Sequence, residues 1–121
     1  MSRGTVVVVV DDEPDLRGVL CEVLEDEGYD VISVAHPSQA LDLEPEPMPA
    51  LFLVDLMLPG MTGIELAERI RASPFHGAPL IAISASAVML RLAAESGLFA
   101  TTMQKPFDID ELLTSVQQYA A

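Results

Sequence analysis

Residues 51–55, Leu-Phe-Leu-Val-Asp, constrain this chain more than any other stretch. Four apolar residues in a row read as a strand buried on both faces, and Asp55 ends the run. Pro59–Gly60 marks a turn just beyond it. A carboxylate at the carboxyl end of a buried strand stands where open α/β sheets gather their chemistry. Asp is also common at the start of loops, so Asp55 alone would say little. The first strand ends the same way. Thr5 leads Val6 to Val10, β-branched throughout, and Asp11, Asp12 and Glu13 follow at once.

The rest of the chain alternates between the two periods. Pro14 suits the first turn of a helix, and Leu16, Val19, Leu20, Val23 and Leu24 give that helix an apolar face that Gly28 closes. Val31, Ile32 and Val34 form a second short strand. Pro37 and Ser38 open a second helix through Leu43, which Pro45, Pro47 and Pro49 cut short. After the Asp55 strand, Gly63 to Ala72 reads as a helix with Ile64, Ala67 and Ile70 on one side. Leu80 to Ile83 is a fourth strand running into Ser84, and Val88 to Ser96 is a fourth helix closed by Gly97. A weaker fifth strand covers Thr101 to Gln104 and breaks at Lys105–Pro106. Asp108 and Glu111 have the spacing of a capping box, ahead of a last helix carrying Ile109, Leu112, Leu113 and Val116. Strand and helix thus alternate five times. The predicted fold class is α/β: a doubly wound, five-stranded parallel sheet with right-handed crossovers and helices on both faces.

At 121 residues the chain is expected to be a single domain, 1–121, with a real core. No apolar run is long enough to span a bilayer, and no apolar stretch of signal-peptide length follows Arg3, so the expectation is a cytoplasmic protein with no membrane contact. Cys21 is the only cysteine, which rules out an internal disulfide and reads as packing. Acidic residues number 19 against 6 basic, a net charge of -13. Such a surface repels nucleic acid, so no direct nucleic-acid partner is expected.

All five strand ends point their following loops at one sheet edge. There the chain collects Asp11 and Asp12 from the first strand, Asp55 from the third, Ser84 from the fourth and Lys105 from the fifth. Three converging carboxylates repel one another, and a divalent cation removes that penalty. All-oxygen ligands favour Mg²⁺, with Mn²⁺ possible, over zinc; neither His36 nor His76 has ligand spacing with another His or Cys. Lys105, the only lysine, reads either as a plain salt-bridge partner or as a phosphate ligand, and Ser84 either as a helix cap or as a hydroxyl donor. Together with a cation around one aspartate they form a phosphoryl-transfer site with the aspartate as nucleophile. Competing chemistries lack their motifs: no G-x-G-x-x-G follows the first strand, no G-x-x-x-x-G-K-[ST] occurs, and no G-x-S-x-G surrounds Ser84.

Four stretches now carry a resemblance: Val10–Asp11–Asp12–Glu13, Leu53 through Gly63, Ile83–Ser84–Ala85 and Lys105–Pro106–Phe107. In this order and separation they resemble the receiver domains of two-component response regulators, over essentially the whole chain. The resemblance implies a flavodoxin-like fold and a phosphorelay switch that takes a phosphoryl group from a sensor histidine kinase or histidine phosphotransfer protein. Asp55 would be the phosphoacceptor, forming an aspartyl phosphate. Asp12 and Asp55 would bind Mg²⁺ directly, Asp11 mainly through water, and Met57 through its backbone carbonyl. Ser84 would be the switch hydroxyl and Lys105 the phosphate-binding lysine. The chain would be no enzyme beyond catalysing its own phosphorylation and dephosphorylation.

One position departs from the family pattern. Three residues before the lysine the family usually has Tyr, Phe or His, a ring that turns inward behind the moving hydroxyl; here the residue is Thr102, and Phe99 is out of register. Met103 is a candidate part of the altered surface. The chain runs to Ala121, just past the fifth helix, so the output is expected through a downstream protein effector or an output domain missing from this sequence. The alternative function is a constitutive interaction module of receiver type, not regulated by phosphorylation.

Overall fold

The structure is a computed structural model and describes residues 4–120. Residues 1–3, which include Arg3, and Ala121, at the two ends of the expected 1–121 unit, lie outside the described residues. Strand β1 (Val6–Val10) pairs in parallel with β2 (Asp30–Val34) on one side and β3 (Leu51–Asp55) on the other. Beyond β3 lie β4 (Leu80–Ser84) and β5 (Thr101–Gln104), also parallel. The order is β2-β1-β3-β4-β5. The chain steps first to one side of β1 and then to the other, so a crevice opens past the carboxyl ends of β1 and β3, the switch point of the flavodoxin-like order.

Residue alternation sorts the core into two faces. Val7, Val9, Leu51, Leu53, Ile81, Ile83 and Met103 point to one side, where Leu20 and Leu24 of α1 (Pro14–Asp26) and Leu112 and Val116 of α5 (Ile109–Tyr119) cover them. Val6, Val8, Val10, Phe52, Val54 and Leu80 point to the other, against Ala40 of α2 (Pro37–Leu41) and Leu66, Ala67 and Ile70 of α3 (Gly63–Arg71). Leu90 and Ala93 of α4 (Ala87–Ser96) pack on that second side, over Leu56 and Ala82. Every residue of β1, β3 and β4 is buried, as the unbroken apolar runs require.

Several details differ from the sequence expectation. Helix α2 stops at Leu41, not Leu43; Asp42 caps it by donating its N–H to Ser38 O, and Pro45 bars its neighbour from a helical conformation. Val19 is 46 % exposed: Leu16, Leu20, Val23 and Leu24 hold the inner face of α1, and Val19 falls off its rim. Asp108 caps α5 through the Asp110 N–H at 2.9 Å, one residue earlier than the capping box with Glu111. Met103 is a core residue facing α1 and α5, because strand alternation sends it away from the side of Thr102.

Candidate functional site

Asp55 is the last residue of β3 and Asp11 immediately follows β1, so the adjacent parallel strands deliver both carboxylates to one crevice. Both are buried, at 4 % and 2 % exposure, whereas Asp12 is exposed. Carboxylate oxygens of Asp11, Asp12 and Asp55 all lie within 4.8 Å of one another. Among the described residues this is the only such group of candidate metal ligands, and neither histidine joins it.

Short local bonds orient each group. The Met57 N–H donates to Asp55 Oδ1 at 2.9 Å, and the Glu13 N–H donates to Asp11 Oδ1 at 2.8 Å. These are the same Asx-type contact at two strand ends, and they turn the remaining carboxylate oxygen of each residue toward the crevice. Met57 itself is 59 % exposed on the rim. Thr62 caps α3, accepting from the Glu65 N–H at 3.1 Å while Glu65 accepts from the Thr62 N–H, which fixes the far end of the loop after Asp55.

Ser84 is fully buried at the end of β4, and its Oγ accepts from the Ser86 N–H at 3.0 Å. Ser86, not Ser84, is the cap of α4, accepting from the Met89 N–H. Ser84 is therefore not the helix cap that its position allowed. Its backbone oxygen accepts from the Lys105 N–H at 2.9 Å, extending the β4–β5 ladder to the lysine.

Lys105 then reaches across the crevice. Its Nζ donates to Glu13 Oε1 at 2.9 Å, to Asp55 Oδ2 at 3.0 Å and to Asp11 Oδ2 at 3.5 Å. Burial by itself would lower the ammonium's pKa; hydrogen bonds to Glu13 and Asp55 and the charges of Asp55 and Asp11 outweigh it, so Lys105 stays firmly protonated, above its ordinary value. Asp11 moves the other way from the usual carboxylate. Desolvation raises it, the Glu13 N–H and Lys105 pull back, and the charges of Asp55 and Glu13 raise it again. One ammonium thus pairs with Asp11, Glu13 and Asp55, and Asp12 adds a further carboxylate beside Asp11 and Asp55. That excess of hard oxygen donors is what a divalent cation of the Mg²⁺ type fits.

The structure brings together Asp11, Asp12, Asp55 and Lys105 as expected, with Ser84 bonded to the lysine's backbone. Glu13 had no assigned role from sequence, and a third consecutive acid before a helix-opening Pro14 was the available signal. Thr102 pairs in register with Ala82 and is partly buried on the α4 side of the sheet. Phe99 packs on the same side with the Leu56, Ala82, Leu90 and Ala93 cluster, but from the loop before β5 rather than from the strand. Arg71 was also missed. Its guanidinium donates to the carbonyls of His76 and Ala78 at 2.7 Å and of Leu98 at 3.0 Å, tying the loops before β4 and β5 together.

Residues 7–117 match the family model of the response regulator receiver domain. The chain belongs to that family. This receiver is 35 % identical over 114 residues to sporulation initiation phosphotransferase F of Bacillus subtilis, covering 93 % of this chain and 91 % of that one. It is 41 % identical over 113 residues to the DNA-binding response regulator MtrA of Mycolicibacterium smegmatis, covering 92 % of this chain but only 48 % of that protein. The receiver therefore spans about half the length of that second relative. Among solved structures it resembles the response regulator TrrA of Thermotoga maritima, crystallised in complex with Mg²⁺ and BeF, with a TM-score of 0.83 at 30 % identity over 95 % of this chain and 98 % of that one. A response regulator receiver domain of Methylobacillus flagellatus gives a TM-score of 0.84 at 26 % identity, over 95 % and 98 %. Among the described residues no helix is long and apolar enough to cross a membrane.

Proposed function

We propose that residues 1–121 act as one receiver unit that accepts a phosphoryl group on Asp55, from a sensor histidine kinase or histidine phosphotransfer protein. The observation that carries this reading is the Lys105 ammonium, 3.0 Å from a buried Asp55 that shares its crevice with Asp11 and Asp12. A carboxylate oxygen of Asp55 attacks phosphorus, the bond from phosphorus to the donor's imidazole nitrogen breaks, and the imidazole keeps the electron pair and takes up a proton. Asp11, Asp12, Asp55 and the Met57 carbonyl would hold Mg²⁺, which when bound supplies charge neutralisation for the carboxylates and the transferring oxygens. Lys105 binds a phosphoryl oxygen, and the Ser84 hydroxyl donates to another. Water attack on phosphorus breaks the bond from phosphorus to the Asp55 oxygen, releasing phosphate and restoring the carboxylate, so the chain's catalysis is confined to its own modification. A cytoplasmic location and a protein effector, or an output domain outside this sequence, complete the reading. Intact-mass analysis after acetyl phosphate treatment tests it: wild type gains one phosphoryl group with Mg²⁺ and none in excess EDTA. Equal labelling in EDTA would overturn the reading.

Asp12→Ala is expected to weaken Mg²⁺ binding by about tenfold or more, the equivalent of one good contact at roughly 1.4 kcal/mol per decade. The side chain is exposed, so its loss removes no core packing, and removing one like charge leaves the metal-free fold as stable or more so. A titration giving wild-type Mg²⁺ affinity would reject Asp12 as a ligand.

Thr102 bears on the output. Its short β-branched side chain vacates no volume comparable to a ring when it rotates. A ligand shifts an equilibrium only by its differential affinity for the two states. Activation by Mg²⁺ and beryllofluoride is therefore expected to move amide resonances mainly at residues 56–62 and 84–90, with smaller shifts at residues 99–119. Shifts across 99–119 as large as those at the active-site loops would show that the coupling survives without the aromatic.

A further inference from the structure

We propose that Glu13 is a positioning residue that holds the Lys105 ammonium in the unphosphorylated protein and competes for it with the incoming phosphoryl oxygens. The proposal rests on the reading of Asp55 as the phosphoacceptor.

The first observation is how the lysine's donors are used. A lysine ammonium has three N–H donors, and here three carboxylates accept from it: Glu13 at 2.9 Å, Asp55 at 3.0 Å and Asp11 at 3.5 Å. No donor is left over for a phosphoryl oxygen, so one carboxylate must give way. Their environments decide which one does. The Asp11 and Asp55 side chains are 2 % and 4 % exposed and are fixed in the crevice by the Glu13 and Met57 N–H groups, so neither can swing away from the lysine. The Glu13 side chain is 62 % exposed, and water replaces its lost partner at little cost. Glu13 is the arm that releases.

The second observation is independent of the crevice. Glu13 occupies the N-cap position of α1, with extended backbone at φ -85° and ψ 110°, yet its side chain makes no capping bond. Pro14 at the first helical position has no N–H to offer. The backbone of Glu13 is fixed at both ends, its N–H given to Asp11 Oδ1 and its carbonyl accepting from the Arg17 N–H at 2.9 Å. An immobilised backbone thus presents an uncommitted carboxylate to a lysine 92 positions away. An open cavity of about 340 Å³, lined by Glu13, Lys105 and Phe107 among others, gives the released side chain room to swing.

The test uses the full chain and two readouts. At saturating Mg²⁺, the affinity for beryllofluoride is measured for wild type, Glu13→Gln, Lys105→Ala and the double variant. Glu13→Gln is expected to tighten binding by about threefold to fivefold, the range an ion pair with one exposed arm supports. In the Lys105→Ala background the same change is expected to do nothing, because the effect passes through the lysine. An equal gain in both backgrounds would mean a general field effect on the anion and overturn the proposal, as would no gain in either. The second readout needs no ligand. Lys105 is the only lysine, so lysine-labelled protein reports on this one ammonium. Its Nζ protons are expected to exchange with water faster in Glu13→Gln than in wild type, and unchanged exchange would overturn the holding role. If wild type itself binds no beryllofluoride, the phosphoacceptor reading falls and the competition with it; if wild type binds and Glu13→Gln matches it, only the role of Glu13 falls.

Discussion

Asp55→Asn is expected to reduce Mg²⁺-dependent labelling by acetyl phosphate to background while the protein stays folded. The two halves of that expectation have different causes. An amide oxygen is a poor nucleophile toward phosphorus, and the side-chain nitrogen offers no anionic lone pair, so the covalent step has no acceptor. Stability is a balance of opposing terms. Removing one partner of a buried ion pair can cost about 3–5 kcal/mol when the other charge is stranded. Lys105 is not stranded here: Glu13 remains at 2.9 Å and Asp11 at 3.5 Å, and the amide oxygen keeps the Met57 N–H bond while the new NH2 group turns from Lys105, which the relief of like charge offsets. Loss of the Asp55 charge also relieves Asp11, whose pKa that charge helps to raise. The net change is expected to be about 1 kcal/mol or less, a shift of only a few degrees in Tm for a chain of this length. Intact mass and thermal melting, measured together, separate the two effects. Undiminished labelling of a folded Asp55→Asn would show that another residue accepts the phosphoryl group.

The legibility of this chain in sequence followed burial. Three central strands are buried on both faces, so their apolar runs are unbroken and their ends are marked by a change to Asp or Ser; Asp11, Asp55 and Ser84 could be read directly for that reason. The parallel order then forces those ends to one edge, which is why residues far apart in sequence could be grouped before any geometry was known. What the sequence withheld were side chains acting at a distance. Glu13 reads as one more acid at a helix start, and nothing local shows that its carboxylate crosses to Lys105. Arg71 reads as a cation in the last turn of α3, where it suits the helix dipole; its three carbonyl acceptors lie on loops that only the tertiary fold brings together. Met103 was misplaced because a weak four-residue strand gives too few residues to fix which face is inside, whereas its register with Ile83 settles the matter.

Gly63→Ala is expected to be damaging for the addition of one methyl group, lowering stability by about 2–3 kcal/mol. Helix propensity argues the opposite, since Ala is favoured over Gly by about 1 kcal/mol inside a helix. Close approach decides the sign. A Cβ on Gly63 would stand 2.7 Å from the Asp55 carbonyl oxygen, 2.7 Å from Leu56 Cα and 2.9 Å from Leu56 Cδ2. The first two are backbone atoms of the strand end that carries the candidate phosphoacceptor, so no rotamer change relieves them. The Gly63 N–H also donates to Leu56 O at 3.0 Å, which holds the start of α3 against that strand. The backbone must therefore move, and the segment that moves is the one in which the Met57 N–H orients Asp55 Oδ1. Two losses should appear together: a fall in Tm on the order of 10 °C for a chain of this length, and slower phosphorylation of the protein that remains folded. Gly77→Ala is the control, because an added Cβ there meets nothing within 4 Å and the backbone is not left-handed. Its Tm is expected to stay within a few degrees of wild type. Matching melting curves for the two variants would show that the strand end yields to the methyl group, and that the close packing of Gly63 does not hold the Asp55 loop in place.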